Sequence, residues 1–259
     1  MKQLRHSLSL TAALLLAGCG VEQEGFEASQ QAATPEVELG TTAQAAVSTS
    51  GFTPHFRDWL KAKGYEPQYN LIRDDLVGGS YGGKASSSDT VVNQPVIFIH
   101  GNSDKAIGTG KAGQSGWNNS IEYFQSKGYK TSELYATTWG PADATLSAYQ
   151  YHSKTYVMKL RKFIEAVKAY TGASKVDIIA HSMGVTLARK AIQGGDGFDP
   201  YSSDKKNFNL GNPLTDSVDT FVGIAGANHG LASALWTGDM VPTTNRTTRT
   251  PHHHAREHR

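Results

Sequence analysis

Residues 180–184 read Ala180-His181-Ser182-Met183-Gly184. They join an apolar run, Val176-Asp177-Ile178-Ile179-Ala180, to a stretch of helical character near 183–193. A serine at such a junction, with a small residue two positions away on each side, has the pattern of a nucleophile elbow. The turn is tight, and bulk at 180 or 184 would collide with the neighbouring strand and helix. The helix then directs its free N–H groups at the serine, where they favour negative charge. The chemistry that suits this arrangement is attack of the Ser182 hydroxyl on a carbonyl, through a covalent intermediate. A second run, Pro95-Val96-Ile97-Phe98-Ile99, ends in His100-Gly101-Asn102. A glycine there lets the backbone approach the nucleophile. The N–H groups of Asn102 and Met183 would then form an oxyanion hole, in which one donor is worth about 3–4 kcal/mol of barrier.

These residues need a frame to hold them. Short continuous apolar runs read as strands buried on both faces of a parallel sheet. One is 95–100, and further strands are expected at 130–138, 176–180 and 218–225. Helices are expected near 54–63, 116–127, 153–170 and 183–193. In the third of these, Tyr156, Leu160, Phe163, Ile164 and Val167 recur at helical spacing, and Gly172 follows as a stop. Residues 77–90, rich in glycine and serine, read as a loop. Strands alternating with helices predict an α/β fold with a mostly parallel sheet flanked by helices.

The chain has 259 residues and a single cysteine, which excludes a disulfide framework. Its net charge of +2 gives no electrostatic case for nucleic acid. Lys2 and Arg5 precede a short apolar stretch, Leu8–Leu16, that leads into Leu16-Ala17-Gly18-Cys19. Residues 1–19 are thus expected to be a lipoprotein signal peptide with a lipobox. Cys19 is the expected lipidation site, giving an exported bacterial lipoprotein held to the membrane by its N-terminal lipid. By resemblance to lipoproteins of Gram-negative bacteria, a residue other than aspartate after the cysteine, here Gly20, implies the outer membrane or cell surface. Residues 20–50 read as a disordered tether, 51–236 as the folded domain and 237–259 as a disordered tail. Gly108-Thr109-Gly110-Lys111 lacks the further residues of a phosphate loop.

Pro95–Asn102, Tyr149–Tyr156 and Val176–Val185 resemble the class 2 lipases and the extracellular polyhydroxybutyrate depolymerases related to them. Gly226-Ala227-Asn228-His229-Gly230 is similar to the segment that follows the family's sixth strand. The resemblance covers roughly residues 94–232. It implies an α/β-hydrolase fold and a secreted serine carboxylic ester hydrolase with an ester or lipid substrate and no metal or other cofactor. It also implies Ser182 as nucleophile and Asn102 and Met183 as oxyanion donors.

The same resemblance leaves a gap. The fold's acid and histidine follow its seventh and eighth strands, whereas no strand pattern is recognisable after Trp236. Residues 237–259 hold only three apolar side chains, Met240, Val241 and Ala255, with six threonines and four histidines. The expectation is a chain truncated or frameshifted before its last strands. Asp239, His229, His252, His253, His254 and His258 do not match a triad segment, and His181 is expected to pack away from the site. Three functions stay open: a lipase or esterase, a polyester depolymerase, and an inactive fragment acting only as a surface binding protein.

Overall fold

The computed structural model describes residues 51–228. The expected signal peptide, Cys19, the tether, the tail, Asp239 and the histidines from His229 onward lie outside the described residues. Helix α1 (Pro54–Ala62) opens the fold, with proline in its first turn and Thr53 accepting the Phe56 N–H. A short strand β1 (Ser80–Tyr81) precedes β2 (Val96–Ile99), α2 (Asn118–Ser126) and β3 (Leu134–Thr137). Then come α3 (Lys154–Thr171), β4 (Val176–His181), α4 (Met183–Gln193), a small hairpin of β5 (Asp196–Phe198) and β6 (Asn207–Asn209), and β7 (Val218–Ile224). Ser153 caps α3 at its start, and Gly172 in the left-handed region (φ 76°) ends it.

The main sheet runs β1-β3-β2-β4-β7. β3, β2, β4 and β7 are parallel, and β1 is antiparallel to β3. Alternate residues face opposite sides. Ile97, Ile99, Tyr135, Ile178 and Ala180 pack in one core cluster with side chains of α1, α3 and α4. Val96, Phe98, Leu134 and Ala136 pack in a second cluster with Trp117 and Ile121 at the start of α2. The chain leaves β2 for β3 on one side and returns to β4 on the other. The carboxyl ends of β2 and β4 are therefore a topological switch point, where open α/β sheets place ligands.

The four expected parallel strands and the four expected helices are present. The strand expected over 130–138 is shorter, because residues 131–133 form a 3-10 turn. The buried Glu133 carboxylate accepts the N–H groups of Lys130, Val92 and Asn93, which holds the turn in place of a ladder. β1 lies within the expected loop 77–90. Among the described residues β7 pairs only with β4, and Val222 and Ile224 are exposed. No helix of the described residues is long and apolar enough to cross a membrane.

Candidate active site

Ser182 lies between the end of β4 and the start of α4, with φ 51° and ψ −125°. A non-glycine residue there is strained, and such strain persists only where the surroundings over-determine it. They do so here. The Ser182 N–H donates to the Ile224 carbonyl at 2.9 Å, and its carbonyl accepts the Ala227 N–H at 3.4 Å. Although Ser182 is the N-cap of α4, its hydroxyl makes no capping hydrogen bond. The side chain is half-buried and keeps a hydroxyl not spent on the helix.

The small residues around it meet steric demands. A Cβ at Gly101 would stand 2.8 Å from His181 Nδ1 and 3.1 Å from Ser182 Cβ. A Cβ at Gly184 would run into the His100 carbonyl oxygen and come to 2.9 Å from that of Ile99. Ala180 is fully buried. These close approaches bring the loop after β2 against the first turn of α4. Met183 is the first residue of that helix, so its N–H has no partner within it. Asn102 is half-buried, and among the described residues its backbone N–H has no hydrogen-bond partner. The Asn102 side chain donates to the Ser147 carbonyl at 2.8 Å and accepts from the Ser103 hydroxyl at 3.2 Å.

His100 anchors this loop. Its Nδ1 is 2.7 Å from the Gly101 carbonyl, and its Nε2 is 3.1 Å from the Trp139 backbone nitrogen. A carbonyl only accepts and an N–H only donates. Nδ1 therefore carries the proton, and Nε2 is the acceptor. Burial pushes the ring down to about 3, so it stays neutral. Trp139 sits on the far side of this junction, held by Arg73, whose guanidinium donates to the Thr138 and Gly140 carbonyls and pairs with Asp75.

Four histidines fall among the described residues. His55 bonds the Tyr170 hydroxyl at 2.7 Å, His100 is spent at both nitrogens, and His152 Nε2 lies 2.5 Å from the Thr186 hydroxyl. His181, expected to pack, is exposed instead, because β4 turns its odd positions away from α3 and α4. It lines a cavity of about 330 Å³ with Asp104, Trp117 and Ile224. Two acids near the site are committed elsewhere. Asp104 accepts the Lys105 and Gly116 N–H groups, and the buried Asp199 accepts from Tyr151, Lys154 and Tyr201. Among the described residues no three histidine, cysteine or acidic side chains gather as metal ligands would.

The family model for lipase (class 2) matches residues 93–249, more than half of the chain. The chain belongs to the class 2 lipase family. With the mostly parallel sheet and its flanking helices, this lipase chain has the α/β-hydrolase fold. The match takes in residues 237–249, which composition alone set apart as tail. Among solved structures, Aspergillus fumigatus lipase B is similar at 13% identity and a TM-score of 0.36, over 62% of this chain and 31% of that one. The matched region thus spans less than a third of that fungal lipase. A search of curated proteins finds no relative.

Sequence reasoning missed Gln114, Trp139 and Thr186. Their partners lie far along the chain or in a helix interior, and no short motif marks them.

Proposed function

We propose that this class 2 lipase chain is a serine carboxylic ester hydrolase in which Ser182 is the nucleophile. The observation that carries the reading is the Ser182 backbone: a strained serine at the head of α4, its hydroxyl free of capping, packed against Gly101. Ser182 Oγ attacks the ester carbonyl and forms an acyl-enzyme with loss of the alcohol. Water then cleaves the acyl-enzyme to the acid. The N–H groups of Asn102 and Met183 receive the tetrahedral oxyanion, aided by the amino terminus of α4. His100, engaged at both ring nitrogens, is not the base that takes the Ser182 proton.

Exposed Leu146 and Tyr149, on the segment that Asn102 holds, support an ester with an apolar acyl chain, as lipids and polyesters have. Placement of the protein on a membrane through lipid at Cys19 belongs to the same proposal and rests on the lipobox sequence. Labelling expressing cells with a palmitate analogue, with Cys19→Ala as control, tests it.

The catalytic test is hydrolysis of p-nitrophenyl butyrate by the full chain beside Ser182→Ala. The expected outcome is turnover that the substitution lowers on the order of 10⁴- to 10⁶-fold. Equal rates from two folded proteins would favour a binding role in place of catalysis.

A further inference from the structure

The connection between β3 and α3 is held in an uncommon way. Residues 144–149 are all exposed, so no buried apolar side chain of this stretch secures it. Polar bonds do so instead. The Asn102 amide donates to the Ser147 carbonyl at 2.8 Å. The Gln114 amide, 2% exposed, donates to the Ser103 carbonyl at 3.0 Å and also to that of Ala142. At the other end of the connection His152 Nε2 lies 2.5 Å from Thr186 Oγ1, and that hydroxyl gives its proton to the Met183 carbonyl at 2.9 Å. A hydroxyl has one proton, so the imidazole is the donor in the first of these bonds, and His152 is protonated on Nε2.

One stretch of chain therefore grips both elements that carry the candidate oxyanion amides. It holds the 101–103 loop at one end and the first turn of α4 at the other. The two amides come from separate crossovers of the sheet, and an oxyanion needs both donors at 2.7–3.1 Å together. A misplacement of about 1 Å is enough to cost about 10²-fold in rate. We propose that the connection 142–152 is a brace that sets the spacing of the Asn102 and Met183 amides, and that Gln114 and His152 are positioning residues for attack by Ser182. The proposal rests on the ester-hydrolase reading. Gln114 and His152 act through carbonyl and hydroxyl groups of the frame and do not touch the reacting atoms.

The test uses the full chain with Gln114→Met, which keeps volume and removes both donors. Thr186→Val cuts the other grip, and Thr186→Ser retains the hydroxyl. The first measurement is backbone amide exchange, which needs no turnover. Gln114→Met is expected to speed exchange at least tenfold over 142–150 and over 103–106 together, with β2 and β4 unchanged. Thr186→Val is expected to do the same over 150–153 and 183–187, and serves alone should Gln114→Met not fold. The second measurement is p-nitrophenyl butyrate hydrolysis. The expected result for both variants is kcat about 10- to 100-fold lower with KM within twofold, while Thr186→Ser keeps the parent kcat. Exchange that rises in only one of the two paired segments, an unchanged kcat, or a Thr186→Ser as impaired as Thr186→Val would overturn the brace. Absence of Ser182-dependent hydrolysis in the parent would instead defeat the ester-hydrolase reading, and the exchange results would then decide the brace by themselves.

Discussion

His100 and Trp139 clasp each other across the carboxyl ends of β2 and β3. Their rings stack at 5.1 Å with an interplanar angle of 4°. The Trp139 backbone N–H donates to His100 Nε2 at 3.1 Å, and its indole N–H donates to the His100 carbonyl at 2.8 Å. The loop carrying Asn102 thus starts from a residue fixed in position and in tautomer. Trp139→Phe keeps part of the stack, removes the indole donor and, at a residue 1% exposed, also leaves a void that adds its own cost. The buried His100 carbonyl then loses that partner, which costs about 1–3 kcal/mol. Urea unfolding of the two proteins measures the difference.

Gly184 is where α4 touches β2. Its missing Cβ is space taken by the carbonyl oxygens of His100 and Ile99, and backbone cannot swing aside as a flexible side chain can. Gly184→Ala is expected to push α4 from the loop after β2. The destabilisation is on the order of 1–3 kcal/mol, and hydrolysis at Ser182 falls more steeply than stability does. Thermal unfolding and ester turnover, compared in one preparation, check both parts.

Ser182 carries strain that glycine would not. Ser182→Gly gives the same φ of 51° to a residue that adopts it freely. The expected gain, set against the larger chain entropy of unfolded glycine, is a net stabilisation on the order of 1 kcal/mol. Ser182→Ala keeps the Cβ and should show no such gain. Denaturation of the parent, Ser182→Ala and Ser182→Gly separates backbone strain from loss of the hydroxyl.

Acid should weaken this fold before its carboxylates titrate. Desolvation lowers buried His100 to about 3 and His152 to about 4. The unfolded chain takes up these protons near pH 6.5, and the folded one does not until far lower. The unfolded state therefore binds more protons in this window. Stability is complete above about pH 6.5 and is lost as pH falls, at up to about 1.4 kcal/mol per pH unit for each group. The loss from His152 ends near pH 4, and that from His100 continues to about 3. Urea unfolding between pH 6.5 and 5 is expected to show this slope, reduced by roughly half in His152→Gln. A slope that His152→Gln leaves untouched would contradict the assignment.

Much of the frame was legible because it repeats. The apolar run at 95–100 suggested a buried strand, and the strand reading of 176–180 ahead of the Ala180–Gly184 spacing announced a tight turn. What escaped notice depends on contacts distant in sequence. β1 has two residues, too few for a pattern against the glycines around it. Gln114 reaches Ala142 across 28 positions, and Trp139 reaches back 39 to His100. Glu133 gave no sign that it would turn the start of a strand into a 3-10 turn. His181 differs for a local reason: it is the last residue of β4, on the face that carries Ile179 and the α2 cluster, and it opens onto the cavity it shares with Asp104 and Trp117 instead of packing into that cluster.

Active-site labelling reads the reactivity of Ser182 itself. The full chain is treated with a fluorophosphonate, digested, and read by peptide mass spectrometry. The expected result is one phosphonyl adduct, on Ser182, absent from Ser182→Ala and from denatured protein. An unlabelled Ser182 in folded protein, or an adduct on another serine, would mean that Ser182 is not the nucleophile.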